Sequence, residues 1–223
     1  MPLVLWDIDH TLIETRGVGR DLSAAAFAEV TGLLMREQAT IDGITEAVIF
    51  RETAKLHGLT TGRVDFERFA HALAQQHVAH AAELRERGSA LIGAAAALDA
   101  LAVANVRQTV VTGNVRAVAE VKLNVFGLDT HIEWDIGAYG EDADLRPALV
   151  DLALARSSTT AGETVLIGDT LADVEGGLEN GVRVIAVATG RSSSAELRDA
   201  GAHHVLDDLT NTARLVEIIT AET

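Results

Sequence analysis

The chain has 223 residues, of which 48% are hydrophobic, enough to bury the core of one large or two small domains and too much for a disordered protein. Lys and Arg number 18 against 33 Asp and Glu, and a formal charge of -15 argues against non-specific nucleic-acid binding, which needs surplus cations to neutralise phosphates. Cysteine is absent, which excludes a disulfide framework and thiolate metal sites and fits a reducing cytoplasm.

The chain opens MPLVLWDIDHTLIET. Leu3 to Trp6 read as a buried strand, yet the run ends in two aspartates one residue apart, and burying a carboxylate is costly unless something pairs with it. Asp7 and Asp9 interrupt the apolar segment that a signal peptide would need. No later stretch is apolar enough to span a bilayer, so a soluble cytoplasmic protein without membrane partners is expected.

From about Arg20 to Gly88 the pattern is helical, with Leu22, Ala25, Ala26 and Val30 on one apolar face and Gly32 closing the first helix. ITEAVIFRETAKLHG follows, ending in a Gly suited to a C-terminal cap, and then DFERFAHALAQQHVAHAAELRERG, read as one helix with Asp65 as its N-cap. After Gly93 an Ala-rich packing helix leads into VRQTVV, then helix, ETVLIGD, helix, VRVIAV, helix and HHVL, ending in a helix through Ile219. This alternation implies right-handed crossovers and a parallel sheet covered on both faces, a three-layer, Rossmann-like α/β core. The opening strand has no strand partner for roughly the next 90 residues, so the helical block is expected to be an inserted cap. The boundaries read as 1–14 plus 89–223 for the core and 15–88 for the cap.

Four strand ends carry polar residues. VRQTVV runs into Thr112, Gly113 and Asn114; TVLIG runs into Asp169, with Asp173 four positions on; between them Arg146 and Pro147 stand at the mouth of a helix. In a parallel sheet Asp7, Asp9, Thr112 and Asp169 should converge at the carboxyl edge. Carboxylates gathered there require a cation, and a few hard oxygen ligands suit Mg²⁺. With the cation bound, Asp7 stays ionised and can attack phosphorus. Asp9 can hold a proton for the leaving oxygen. Thr112, with the amides of Gly113 and Asn114 opening a helix, offers donors to phosphate oxygens.

The order DxDxT, strand-Thr-Gly-Asn, basic residue with Pro, then GDTLAD resembles the haloacid dehalogenase superfamily, and the insertion after the first motif resembles its small-cap members, phosphoglycolate phosphatases and β-phosphoglucomutases. The resemblance spans nearly the whole chain, including ATGRSSSAELRDAGAHHVLDDL near the C-terminus. It implies Asp7 as nucleophile and metal ligand, and Asp9 as acid/base and backbone-carbonyl ligand of Mg²⁺. Thr112 would bind phosphate, Asp169 the metal, and Asp173 the metal or its ligands.

The chain departs from that pattern where relatives carry Lys-Pro. Arg146 supplies positive charge but is not equivalent to lysine. Lys122, one of only two lysines, shares a helix face with Asn114 and Val118 and is the rival; position favours Arg146. His10 stands where many relatives carry Gly and reads as a loop histidine with a structural hydrogen bond, with substrate contact as the alternative. Arg16 and Arg20, flanking Gly17 and Gly19, read as a clamp for an anionic substrate or as hinge residues. His71, His77 and His80 read as polar helix surface, since no third zinc ligand is in view. The expected function is Mg²⁺-dependent hydrolysis of a small phosphorylated metabolite, phosphoglycolate or a similar phosphomonoester. The alternatives are a phosphomutase with the same Asp7 chemistry and a non-enzymatic phosphometabolite-binding protein.

Overall fold

A computed structural model describes residues 1–40 and 43–221. At its centre lies β1 (Leu3–Trp6), buried at all four positions because both sheet faces are covered. The strand's two-residue period divides its side chains between the faces. Leu3 and Leu5 pack with Leu149, Val150, Leu166 and Val174, whereas Val4 and Trp6 pack with Leu98, Leu101, Ile167, Leu215 and Ile219. The Trp6 indole N–H is satisfied by Gln108 Oε1 at 3.1 Å, so this large side chain is buried without an orphaned donor.

The remaining core strands are β4 (Arg107–Val110), β5 (Thr164–Gly168), β6 (Arg183–Val187) and β7 (His204–Leu206). All pair in parallel, in the order β4-β1-β5-β6-β7. The chain therefore winds in opposite directions from β1, and the crevice beyond its carboxyl end is where such sheets bind ligands. The covering helices are α5 (Ala94–Val103), α6 (Arg116–Val125), α7 (Arg146–Ser157), α8 (Leu171–Glu179), α9 (Ser194–Asp199) and α10 (Thr212–Ala221).

Between β1 and β4 lies the helical insertion: α1 (Val18–Thr31), α2 (Glu46–Leu56), α3 (Arg63–Ala79) and α4 (Ala81–Arg87). It enters and leaves beside a short antiparallel pair, β2 (Ile13–Glu14) and β3 (Ser89–Ala90). Its own core of Leu22, Phe27, Phe50, Phe69, Leu73 and Leu84 extends onto Val118 and Val125 of α6, anchoring the insertion over the sheet edge. Among the described residues no helix is long and apolar enough to cross a membrane.

Several local expectations are corrected. The long helix breaks at His80, whose backbone leaves the helical region (φ -109°) while its ring hydrogen-bonds Gln76 O at 2.9 Å. Gly62, not Asp65, caps α3. Asp65 sits three residues in and accepts from the Gly62 amide at 2.8 Å, so the carboxylate serves the helix start from inside the first turn. His77 is not on a polar surface; it is 2% exposed, because α3 turns that face towards α6 and the cavity. Asn114 does not open a helix: α6 begins at Arg116, after Val115 at the cap.

Candidate active site

Strand register builds the floor of the site. Trp6 is level with Val110 and Ile167, and the Asp7 amide extends the ladder by donating to the Ile167 carbonyl at 2.9 Å. Asp7, Thr112 and Asp169 thus emerge within about a residue of the same level. Together with Asp9, Gly113, Asn114, Lys122 and Arg146 they line one cavity of about 430 Å³.

The charged groups form two separate sets. In the first, the buried Arg146 guanidinium spans Asp7 Oδ1 (Nη2, 3.2 Å) and the Val111 carbonyl (Nη1, 2.9 Å). Its Nε stands 3.0 Å from Asp173 Oδ1, but the N–H is not aimed at that oxygen. This contact is therefore electrostatic, and Asp173 Oδ1 keeps its lone pairs. The other Asp173 oxygen accepts from the Thr170 hydroxyl (2.6 Å) and amide (3.1 Å), a capping box at the start of α8. Carboxylate oxygens of Asp7, Asp169 and Asp173 lie within 4.8 Å of one another.

In the second set, Lys122 Nζ donates to both Asp9 oxygens (2.8 and 2.7 Å) and to Asn114 Oδ1 (2.7 Å). The Asn114 side-chain amide donates to Asp9 Oδ2 (2.7 Å) and Thr112 Oγ1 (2.8 Å). Thr112 Oγ1 also accepts from the Asn114 backbone amide at 3.2 Å, which leaves its own proton to donate into the cavity. Lys122 and Arg146 are thus not rivals, since each has its own aspartate. Helical side chains lean towards the N-terminus, and from the last turn of α6 Lys122 reaches back to the strand end.

The two sets drive the neighbouring aspartates in opposite directions. Burial pushes Asp7 well above the ordinary carboxylate range, with Arg146 opposing and Asp173, Asp169 and Asp9 adding. Burial, then Asp173, likewise raises Asp169 to about 7. Burial would raise Asp9 too, but the Lys122 charge and its hydrogen bonds outweigh it, and Asp9 is lowered. Three buried carboxylates facing one guanidinium lack countercharge. A divalent cation would supply it, and three carboxylate oxygens within 4.8 Å of one another fit the few hard oxygen ligands that Mg²⁺ takes.

Other residues had weaker signals or none. Thr11, the threonine of DxDxT, donates to Asp169 Oδ1 at 3.1 Å and ties the first strand end to the third. A Cβ at Gly190, after β6, would overlap the Asp169 carboxylate, so only glycine permits that loop to close on it. Thr189 beside it donates to the His10 carbonyl at 2.5 Å, and His10, at φ 62°, lines the cavity. Arg20 also lines the cavity. Arg16 does not: it pairs with Glu14 at 3.5 Å at the entry to the insertion, because its left-handed backbone (φ 47°) turns the chain there.

The sequence matches the description "Haloacid dehalogenase-like hydrolase" over residues 4–187. The chain belongs to this family. Solved structures agree on the fold. A hydrolase from Pseudomonas syringae aligns with 98% of this chain and 99% of its own, at 20% identity and a TM-score of 0.68. A predicted phosphoglycolate phosphatase from Haemophilus somnus aligns over 96% and 97%, at 15% identity and a TM-score of 0.66. CbbY from Rhodobacter sphaeroides, in complex with xylulose-1,5-bisphosphate, aligns over 95% and 96%, at 19% identity and a TM-score of 0.68. No curated protein matches the chain. Where the resemblance places Lys-Pro this chain has Arg146-Pro147, and Lys122 pairs with Asp9.

Proposed function

We propose that this chain is a Mg²⁺-dependent phosphatase that hydrolyses a small phosphomonoester through an aspartyl-phosphate on Asp7, with residues 15–88 acting as a cap over the site. The observation that carries the reading is the cluster of Asp7, Asp169 and Asp173 at the carboxyl edge of the sheet, beneath a cavity that Thr112 and Lys122 also line or reach. Mg²⁺ held by the three carboxylates, with the Asp9 carbonyl, would neutralise phosphoryl charge and keep Asp7 ionised at neutral pH.

Asp7 attacks phosphorus as the bond to the leaving oxygen breaks, and that oxygen takes a proton from Asp9. Water then gives a proton to Asp9 and attacks the same phosphorus, the bond to Asp7 breaks, and inorganic phosphate leaves. Lys122 and Asn114 hold Asp9 as a carboxylate in this arrangement, the form that accepts a proton from water. A phosphate oxygen competing for Lys122 would loosen that hold and let Asp9 be protonated for the first step. Arg146 keeps Asp7 oriented, and Thr112 donates to the phosphoryl group.

The test is a phosphate-release screen over small phosphorylated metabolites, with Mg²⁺ and with EDTA, comparing wild type and Asp7→Asn. Release should require Mg²⁺ and should fall on the order of 10⁴-fold or more in the variant, as losses of a nucleophile do. Retention of most turnover by Asp7→Asn would sink the covalent mechanism, and isomer formation without free phosphate would make the enzyme a mutase.

A further inference from the structure

The cavity over Asp7 has a roof as well as a floor, and its chemistry differs. Glu46, the first residue of α2, is placed by its backbone: its amide donates to the Gly113 carbonyl at 2.8 Å. A Cβ at Gly113 would collide with the Ile44 carbonyl, so the insertion rests directly on the Thr-Gly-Asn turn. Glu46 is partly buried as a residue, but its Oε2 is fully buried and finds no hydrogen-bond partner among the described residues. His77, in the last turn of α3, is 2% exposed, and its Nδ1 lies 2.9 Å from the Leu73 carbonyl. A carbonyl only accepts, so Nδ1 carries the proton; burial, with Lys122 adding, lowers the ring to about 4 and keeps it neutral. Nε2 is therefore a lone-pair acceptor, and it too has no partner among the described residues.

Both side chains line the same cavity as Asp7 and Asp9. A buried acceptor left unsatisfied costs about 1–3 kcal/mol, so two of them, each covered in this structure but belonging to a residue that lines one ligand cavity, call for a donor that a ligand brings as the side chains turn to it.

We infer that Glu46 and His77 form a hydroxyl-recognition site for the leaving group, and that the substrate is the monophosphate of an uncharged polyhydroxy compound, a sugar or polyol, with no second anion at its far end. This rests on the phosphatase reading above and narrows its substrate class. A second phosphate or a carboxylate at this place would meet a histidine lone pair and a carboxyl group. Arg20 and Arg191 also line the cavity, but both are exposed, where water screens their charge. An ammonium group donates but cannot accept, and the field of Lys122 acts on both residues against a second cation. A hydroxyl both donates and accepts. It therefore serves Glu46 in either protonation state, which matters because burial raises that carboxyl to about 7.

The experiment compares kcat/KM with Mg²⁺ for glucose phosphate, glycerol phosphate, phosphoglycolate, a hexose bisphosphate, phosphoethanolamine and p-nitrophenyl phosphate. A sugar or polyol monophosphate should exceed phosphoglycolate, the bisphosphate and phosphoethanolamine by about tenfold or more. Glu46→Gln and His77→Leu should each lower the ratio of polyol to p-nitrophenyl phosphate kcat/KM by about tenfold, mainly through KM, the effect of about 1.4 kcal/mol of lost hydrogen bonding. Preference for phosphoglycolate, the bisphosphate or phosphoethanolamine would overturn the inference, as would ratios unchanged in both variants. Calorimetric binding of the sugar phosphate to Asp7→Asn protein separates the two levels. Specific binding with no phosphate release by wild type refutes the phosphatase reading alone, whereas release without preference refutes only this inference.

Discussion

The floor and the roof of the cavity solve the problem of buried polarity in opposite ways. On the floor every carboxylate has a charged or hydrogen-bonding neighbour: Asp7 faces Arg146, Asp9 is held by Lys122 and Asn114, and Asp169 accepts from Thr11. On the roof Glu46 Oε2 and His77 Nε2 have none among the described residues. Within the floor, Asp7 and Asp9, two residues apart, are driven in opposite directions, because burial prevails at the first, whereas at the second it is outweighed by Lys122 and Asn114 together. On the proposed reading, groups that perform the chemistry are held in place in advance, and groups that choose the substrate wait for it.

Asp9→Asn tests the division between the two aspartates and has the largest expected effect here. It removes the proton carrier but keeps the backbone carbonyl, so hydrolysis of an alkyl phosphate should fall about 10²–10⁴-fold. p-Nitrophenyl phosphate, whose leaving group departs as an anion, should fall much less when phospho-enzyme formation limits both. Equal losses under that condition would assign Asp9 to the metal or the fold.

The countercharge of the floor is broken by Arg146→Met. Removing one partner of a buried ion pair costs about 3–5 kcal/mol, since the carboxylates left behind have no compensation. Urea unfolding in EDTA should show a loss of that order, and Mg²⁺ should recover part of it. A midpoint that Mg²⁺ does not move in the variant would separate Arg146 from the metal cluster.

The roof carries the smallest effect, and it is read as stability against pH. Folded His77 sits at about 4, below the unfolded value of about 6.5, so between those values the unfolded chain binds more protons. Its contribution is intact above pH 6.5 and is lost as pH falls towards 4, about 2 kcal/mol of it between pH 7 and pH 5. His77→Leu should therefore lose less stability than wild type over that interval in urea melts. Asp7, Asp169 and Glu46 are raised and act with the opposite sign, but they are common to both proteins. Parallel losses in the two would mean that His77 is not held neutral.

Local pattern alone determined a great deal about this protein. Apolar runs ending in Asp7, Thr112 and Asp169, separated by helical periodicity, specify strands, their parallel pairing and a shared carboxyl edge, because residues adjacent in sequence carry that information. The gap before the second core strand likewise exposed the insertion. What only the tertiary structure decided are the partnerships between distant elements: Lys122 with Asp9, Arg146 with Asp7, Glu46 seated on Gly113, and His77 turned inward. His77 follows Phe69 and Leu73 at a spacing of four, so the apolar face of α3 runs on to it, but pattern alone does not say whether that end of the face meets water or another helix, and a glutamate at a helix start reads as a favourable end charge wherever that end points. Which face is buried depends on how α2 and α3 pack against α6 and the sheet edge, a contact made between segments far apart in the chain.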